Sequence, residues 1–145
     1  MKEFVRVMKA LSDPSRVKVL KVLQHKSMCV CEVQKVLGLA QPTISKHLKI
    51  LEDAGLVVSR KSGLWVNYAL ADGNTSPYAA ALLGNLRHWL QNDPEIIRMV
   101  EILPAIRRED ICRKWGSDEG NMRTPAEEWD DRERHYSNQG GQAYN

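Results

Sequence analysis

Ala40-Gln41-Pro42-Thr43-Ile44-Ser45-Lys46-His47-Leu48-Lys49-Ile50-Leu51 carries a helix start and an apolar stripe in one run. Proline near the first position of a helix loses nothing, because its missing N–H would have no partner there. Ile44, Leu48 and Leu51 recur at i, i+4 and i+7, the spacing of one buried helical face. Gly55 follows as the stop. Lys46 and Lys49 fall opposite the stripe, with Thr43 and Ser45 on its flanks. Upstream, Val33, Val36 and Leu37 mark a short helix over roughly Cys31 to Leu37, ended by Gly38. Two short helices joined by a glycine-containing turn form a helix-turn-helix. Downstream, Leu56 to Arg60 and Leu64 to Leu70 have the composition of strands, with Lys61-Ser62-Gly63 as the turn. The expected fold is mainly α with a small β-hairpin, a winged helix-turn-helix.

The flanks complete the unit. Phe4, Val5, Met8 and Leu11 are spaced as a first helix. Ser12-Asp13-Pro14 starts a second, with a capping side chain followed by proline, and Val17, Leu20 and Leu23 as its stripe. Met28 to Val30 is a short extended link. Ala79 to Leu90 forms an amphipathic helix, and Glu95 to Leu103 and Ala105 to Cys112 are helical pieces around Pro104. From Lys114 apolar periodicity ends and polar residues dominate, as in flexible tails. The expected organisation is a winged-helix and dimerisation unit over 1–92, a helical extension over 93–113 carrying Cys112, and a polar acidic tail over 114–145.

Charge is unevenly distributed. The chain of 145 residues has a formal net charge of +3. Residues 1–70 hold 12 Lys and Arg against 5 Asp and Glu, whereas residues 114–145 hold 4 against 7. A basic first half is the electrostatic footprint of a nucleic-acid binder. In a winged helix the second helix fits the major groove and the hairpin reaches the adjacent backbone. Gln41, Thr43, Ser45, Lys46 and His47 are the polar side chains on the first turns of that helix. Lys49, Arg60 and Lys61 suit phosphates, as charge without geometric selectivity. The expected partner is double-stranded DNA.

Other classes find little support. No apolar run approaches the ~20 residues of a membrane span, and the first residues lack a secretory signal, so a cytoplasmic location with no membrane partner is expected. Three cysteines at irregular spacing do not make a secreted disulfide framework. There is no C-x-x-C in a βαβ setting, no glycine-rich phosphate loop and no Ser/His/Asp set, so no enzyme is expected.

Three motifs together resemble the ArsR/SmtB metalloregulators: Ala10-Leu11-Ser12-Asp13-Pro14-Ser15-Arg16, Cys29-Val30-Cys31-Glu32-Val33, and Gln41 to Leu51. The stretch from Ala54-Gly55-Leu56-Val57 to Leu64-Trp65-Val66-Asn67-Tyr68 fits the same pattern, so the resemblance spans about residues 3–90. It implies a cytoplasmic homodimeric repressor whose hold on DNA weakens when an inorganic effector binds, and a two-fold axis that matches an inverted-repeat operator. It further implies dimerisation through the first and last helices, here with Phe4, Met8, Leu11, Leu82, Leu83 and Leu86.

Cys29-x-Cys31 stands where the arsenic- and soft-metal-sensing members carry their cysteine motif. Thiolates select thiophilic ions such as As(III), Sb(III), Cd(II), Pb(II) or Zn(II), and a helix start favours the thiolate form. Free cysteines are also common, inert core residues. Residues two apart on a regular helix are ~200° apart, so chelation is expected to require unwinding of the first turn. The family's arsenic sensors often add a third cysteine where this chain has Gln34. Cys112 is the remaining thiol, supplied by the same subunit or by its partner. Another family metal site needs carboxylates and histidines on the last helix, where this chain offers Asn85, Arg87 and His88, so no zinc site is expected there. The expectation is a repressor of arsenic-resistance genes released by As(III) or Sb(III), with no cofactor in the DNA-bound form. The alternative is the same repressor sensing Cd, Pb or Zn, or a thiol-redox or persulfide signal.

Overall fold

The computed structural model describes residues 1–111. Its elements run α1 (Lys2–Ala10), α2 (Pro14–Leu23), β1 (Met28–Cys29), α3 (Val30–Leu37), α4 (Gln41–Asp53), β2 (Val57–Ser62), β3 (Trp65–Leu70), α5 (Pro77–Leu86) and α6 (Pro94–Ile102), then a 3-10 turn over Leu103–Ala105. The strands form one antiparallel sheet in the order β1-β3-β2. The fold is the expected winged helix, mainly helical with a small sheet.

Local chemistry accounts for the boundaries. Asp13 accepts hydrogen bonds from the Ser15 and Arg16 N–H groups at 2.8 and 3.3 Å, and Pro14 fills the first position of α2. Asp13 is the cap of the Ser12-Asp13-Pro14 start. Gly38 closes α3 at φ 70°, a left-handed conformation that costs glycine nothing. Ser76 and Asp93 cap α5 and α6 in the same way as Asp13 caps α2.

Several boundaries differ from expectation, among them the piece expected over Ala105 to Cys112, where Ala105 ends a 3-10 turn and helix resumes only at Arg108. Helix α5 spans Pro77–Leu86, because Ser76 caps it three residues before Ala79 and the chain leaves the helix after Leu86. Helix α3 begins at Val30, one residue early, because Cys29 is extended and pairs with Asn67 of β3. The wing turn is two residues, Gly63-Leu64, since Ser62 pairs with Trp65 and Lys61 with Val66. Gly63 sits at φ 62°, and the tight turns that join twisted strands need such a residue.

One apolar core unites the described residues. Leu20, Val33, Ile44, Leu48, Leu51 and Leu56 are fully buried, and α2, α3 and α4 pack on one another around them. Ile96, Met99, Leu103 and Ile106 from the C-terminal extension join the same cluster. Lys21 is buried and donates from Nζ to the Leu86 and Trp89 carbonyls at 2.9 Å each. It thereby satisfies carbonyls that the end of α5 would leave unpaired, and burial lowers its pKa. Residues 112–145, including Cys112 and the polar tail, lie outside the described residues.

Leu48 has no exposed surface and is central to the α4 stripe. Leu48→Ala should therefore lower unfolding stability by about 2–5 kcal/mol, read as a shifted midpoint in chemical denaturation.

Candidate DNA interface and thiol site

Helix α4 turns one face inward and leaves the other bare. Thr43, Lys46 and Lys49 are exposed and Gln41 is half-buried. Lys49 pairs along the helix with Asp53 at 3.2 Å. On the wing, Arg60 and Lys61 are exposed on β2. These six form a polar surface running from helix to hairpin.

One expected DNA contact, Ser45, is placed otherwise, and a second, His47, is held by a neighbouring side chain. Ser45 is only 7% exposed, because one step round the helix from Ile44 falls on the packed flank of the stripe. It serves packing, and the assignment of Ser45 to base contact is corrected. His47 is half-buried, its Nδ1 3.4 Å from the Arg16 guanidinium. Arg16 also donates to the Ala10 carbonyl at 2.6 Å and the Lys9 carbonyl at 3.1 Å. One side chain thus closes the end of α1 and braces the recognition helix. Burial pushes the His47 pKa down, with the Arg16 and Lys46 charges adding and Asp13 opposing.

The thiol pair is built by backbone geometry. Cys29 is the N-cap of α3, at φ −80° and ψ 169°. Its N–H donates to the Glu32 Oε1 at 3.1 Å, and its sulfur accepts from the Glu32 N–H. This is a capping box with cysteine in the place usually held by serine or threonine. Because Cys29 is outside the helix, the ~200° separation of a regular helix does not apply. The Cys31 thiol hydrogen-bonds the Cys29 sulfur directly. That bond holds Cys29 below the usual thiol range against burial, with the Glu32 N–H helping and the Glu32 carboxylate opposing. The expectation that the sulfurs converge only after unwinding is corrected: the N-cap conformation already brings them together.

Both cysteines are buried, at 3% and 4% exposure. Cys31 borders a groove of about 540 Å³ lined also by Gln34, Leu39, Ile106 and Ile111. Glu32, which completes the capping box, is not among the residues that the sequence pattern singles out. Its signal was its place three residues after the N-cap. Among the described residues no group of three or more His, Cys, Asp or Glu side chains could hold a metal ion. His88 is exposed and Asn85 donates to the Ala81 carbonyl of its own helix.

The faces expected to meet a second subunit divide. Phe4 and Met8 are exposed at 42% and 36%, and Phe4 meets Tyr78 of α5 edge-on with ring centres 5.3 Å apart. Leu11 and Leu82 are half-buried. Leu83 and Leu86 turn into the protomer's own core, since α5 must bury one face on the body of its own subunit. They are corrected from dimer contacts to core.

Comparison with known proteins matches this arrangement. A family model described as bacterial regulatory protein, arsR family, matches residues 13–59. The arsenical resistance operon repressor of Staphylococcus aureus is 39% identical over 112 residues, which cover 77% of this chain and 90% of that protein. The chain belongs to the ArsR family. A second relative, the cadmium resistance regulatory protein CadC homolog of Staphylococcus aureus, is 39% identical over 71 residues, 48% of this chain and 59% of the relative. Among solved structures, the homodimeric winged helix-turn-helix DNA-binding domain Mb0332 of Mycobacterium bovis superposes with a TM-score of 0.52 at 26% identity, covering 60% of this chain and 77% of that one. This ArsR-family protein is accordingly a DNA-binding transcriptional regulator and not an enzyme. No helix among its described residues is long and apolar enough to cross a membrane.

The exposed and buried positions of α4 should separate in binding assays. Lys46→Ala should weaken DNA binding and reduce the slope of log affinity against log salt by about one. Ser45→Ala should leave that slope unchanged, as fluorescence anisotropy over a salt series would show.

His47 makes stability depend on pH. Its folded pKa lies below the ordinary 6.5, so the unfolded chain takes up the proton more readily and protonation favours unfolding. The stabilisation is complete above that ordinary value and is lost as pH falls through the folded pKa. His47→Gln should flatten this decline, measured as unfolding free energy between roughly pH 7 and pH 5.

Proposed function

We propose that this ArsR-family regulator represses arsenic-resistance genes and leaves its operator when As(III), or the similar Sb(III), binds its thiols. The observation that carries this reading is the Cys29–Cys31 pair, two soft donors in direct hydrogen-bond contact at the start of α3. Soft thiolate donors select thiophilic ions. The arsenical repressor relative, aligned over most of its length, supports arsenic as the effector.

The route to DNA release is short. In taking up the ion, Cys29 and Cys31 would lose their protons, and with them the S–H···S bond. Cys29 would also give up its contact with the Glu32 N–H. Helix α3 packs against α4, so a change at the start of α3 bears on the recognition helix. Cys112 is proposed as a third thiolate. Ile111, the residue before it, lines the groove beside Cys31, which supports that role. Thr43, Lys46, Lys49, Gln41, Arg60 and Lys61 are proposed to contact operator DNA. Phe4, Met8, Leu11 and Leu82 are proposed to meet a second copy across a two-fold axis, giving a dimer that reads an inverted repeat. A cytoplasmic location accords with a DNA-binding role.

The test is operator-bound fraction against arsenite, with cadmium and zinc run in parallel. Cys29→Ser and Cys31→Ser should keep DNA binding and lose release, because a hydroxyl replaces the soft donor at similar size. Cys112→Ser should give a curve shifted to higher arsenite but complete. Normal release by Cys29→Ser would overturn the reading. Release by cadmium and not by arsenite would reassign the effector.

A further inference from the structure

The C-terminal extension grips the same residues that build the thiol pair. Lys26 donates to the Ile106 carbonyl at 2.9 Å and stands 3.7 Å from the Glu32 Oε2. Arg108 reaches further. Its Nη2 donates to the Asn67 Oδ1, its guanidinium lies 5.3 Å from the centre of the Trp65 ring, and its Nε stands 3.8 Å from the Glu32 Oε1. Trp65 and Asn67 belong to β3, the inner strand of the wing, and Asn67 is the backbone partner of Cys29. Cys29, Glu32, Arg108 and Asn67 therefore form a closed ring of contacts between the thiol site and the wing.

One link in that ring is half-made. Glu32 Oε1 accepts from the Cys29 N–H at 3.1 Å. Arg108 Nε, 3.8 Å from the same oxygen, is buried with no hydrogen-bond partner among the described residues. A buried donor without a partner is costly, so the guanidinium gains by closing on Glu32 whenever the Cys29 N–H withdraws. Doing so takes it away from Asn67 and from the Trp65 ring.

We propose that Arg108 is a positioning residue that couples the Cys29–Glu32 capping box to the wing. With the box closed, Arg108 braces Trp65 and Asn67. With Cys29 displaced, Arg108 pairs with Glu32 and the wing loses its brace. This goes beyond the α3-to-α4 route above, since it adds a second path, to the hairpin. It rests on the thiol-effector reading only for the displacing ligand.

Two measurements on the full chain test it. The first needs no effector: hydrogen exchange of the amides of residues 65–70 in wild type, Glu32→Gln, Arg108→Gln and the double variant. Arg108→Gln should speed exchange, Glu32→Gln should slow it or leave it unchanged because the rival partner of Arg108 is lost, and in the Arg108→Gln background the Glu32 change should have no further effect. Faster exchange in Glu32→Gln, or a Glu32 effect that persists in that background, would overturn the coupling. The second is the ratio of operator affinities without and with arsenite. Arg108→Gln should keep arsenite stoichiometry and lose at least about fivefold of that ratio, the lower end of ordinary coupling energies. An unchanged ratio would overturn the proposal. Arg108→Lys keeps the charge without the planar fork and should lose coupling as well, which decides the matter if the glutamine variant unfolds. If arsenite fails to release wild type, the effector reading fails, and the exchange measurement alone decides the role of Arg108.

Discussion

The structure depends on the backbone of Cys29, which serves two elements at once. As the last residue of β1 it pairs with Asn67 and ties the link after α2 to the wing sheet. As the N-cap of α3 it sets the direction of the helix that supports the recognition helix. An extended N-cap residue also swings its side chain back over the first turn, the geometry by which capping residues reach helix N–H groups. Sheet register, helix start and convergence of the two sulfurs thus follow from one pair of backbone angles. A serine at this position would cap the helix equally well, so capping alone does not account for a sulfur there.

Recognition-helix placement rests on burial and on one cation. Ile44, Leu48 and Leu51 have no exposed surface, and removal of such side chains from water supplies the bulk of the docking energy. Burial fixes which face of α4 points outward. Arg16 supplies what an apolar stripe lacks, a directional tie between the end of α1 and the flank of α4 through His47. Since α1 also carries the exposed Phe4 and Met8, the surface proposed to meet a second copy and the surface proposed to meet DNA are joined by a single guanidinium.

The sequence made the winged helix legible because its signals are local. Proline after a capping aspartate, the i, i+4, i+7 stripe of α4 and the glycine stops each act within a turn or two of chain. Misplaced residues fail for reasons that local patterns cannot carry. Ser45 and Thr43 both flank the stripe on a helical wheel, and only the packing of α2 and α3 decides which flank is covered. Leu83 and Leu86 have the same apolar character whether they face their own core or a partner. The wing turn shifted because hairpin register, here Ser62 opposite Trp65, is fixed by cross-strand pairing. Helical angles do not locate the two sulfurs, because Cys29 stands just outside the helix. Arg108 left no trace in the pattern, since its partners Glu32 and Asn67 lie 76 and 41 positions away in the chain.

Glu32 shows why such distant partners matter. Its side chain is 7% exposed, and an ionised carboxylate so far from water is costly unless paired and hydrogen-bonded. The Cys29 N–H alone is a weak substitute for hydration. Lys26 and Arg108, at 3.7 and 3.8 Å, offset the rest through charge at a distance longer than a hydrogen bond. The extension that follows α6 is therefore a working part of the thiol site: it supplies Arg108, and its Ile106 carbonyl fixes Lys26. Removing the Cys29 N–H from this arrangement would leave a buried carboxylate with two cations within reach, Lys26 beside Oε2 and Arg108 beside Oε1, and Arg108 is the one that faces the vacated oxygen. On the proposal above, the physical reason for reorganisation at this site is the cost of a buried charge, and the wing is involved because the cation beside Oε1, the oxygen that the Cys29 N–H would vacate, is the one that also meets β3.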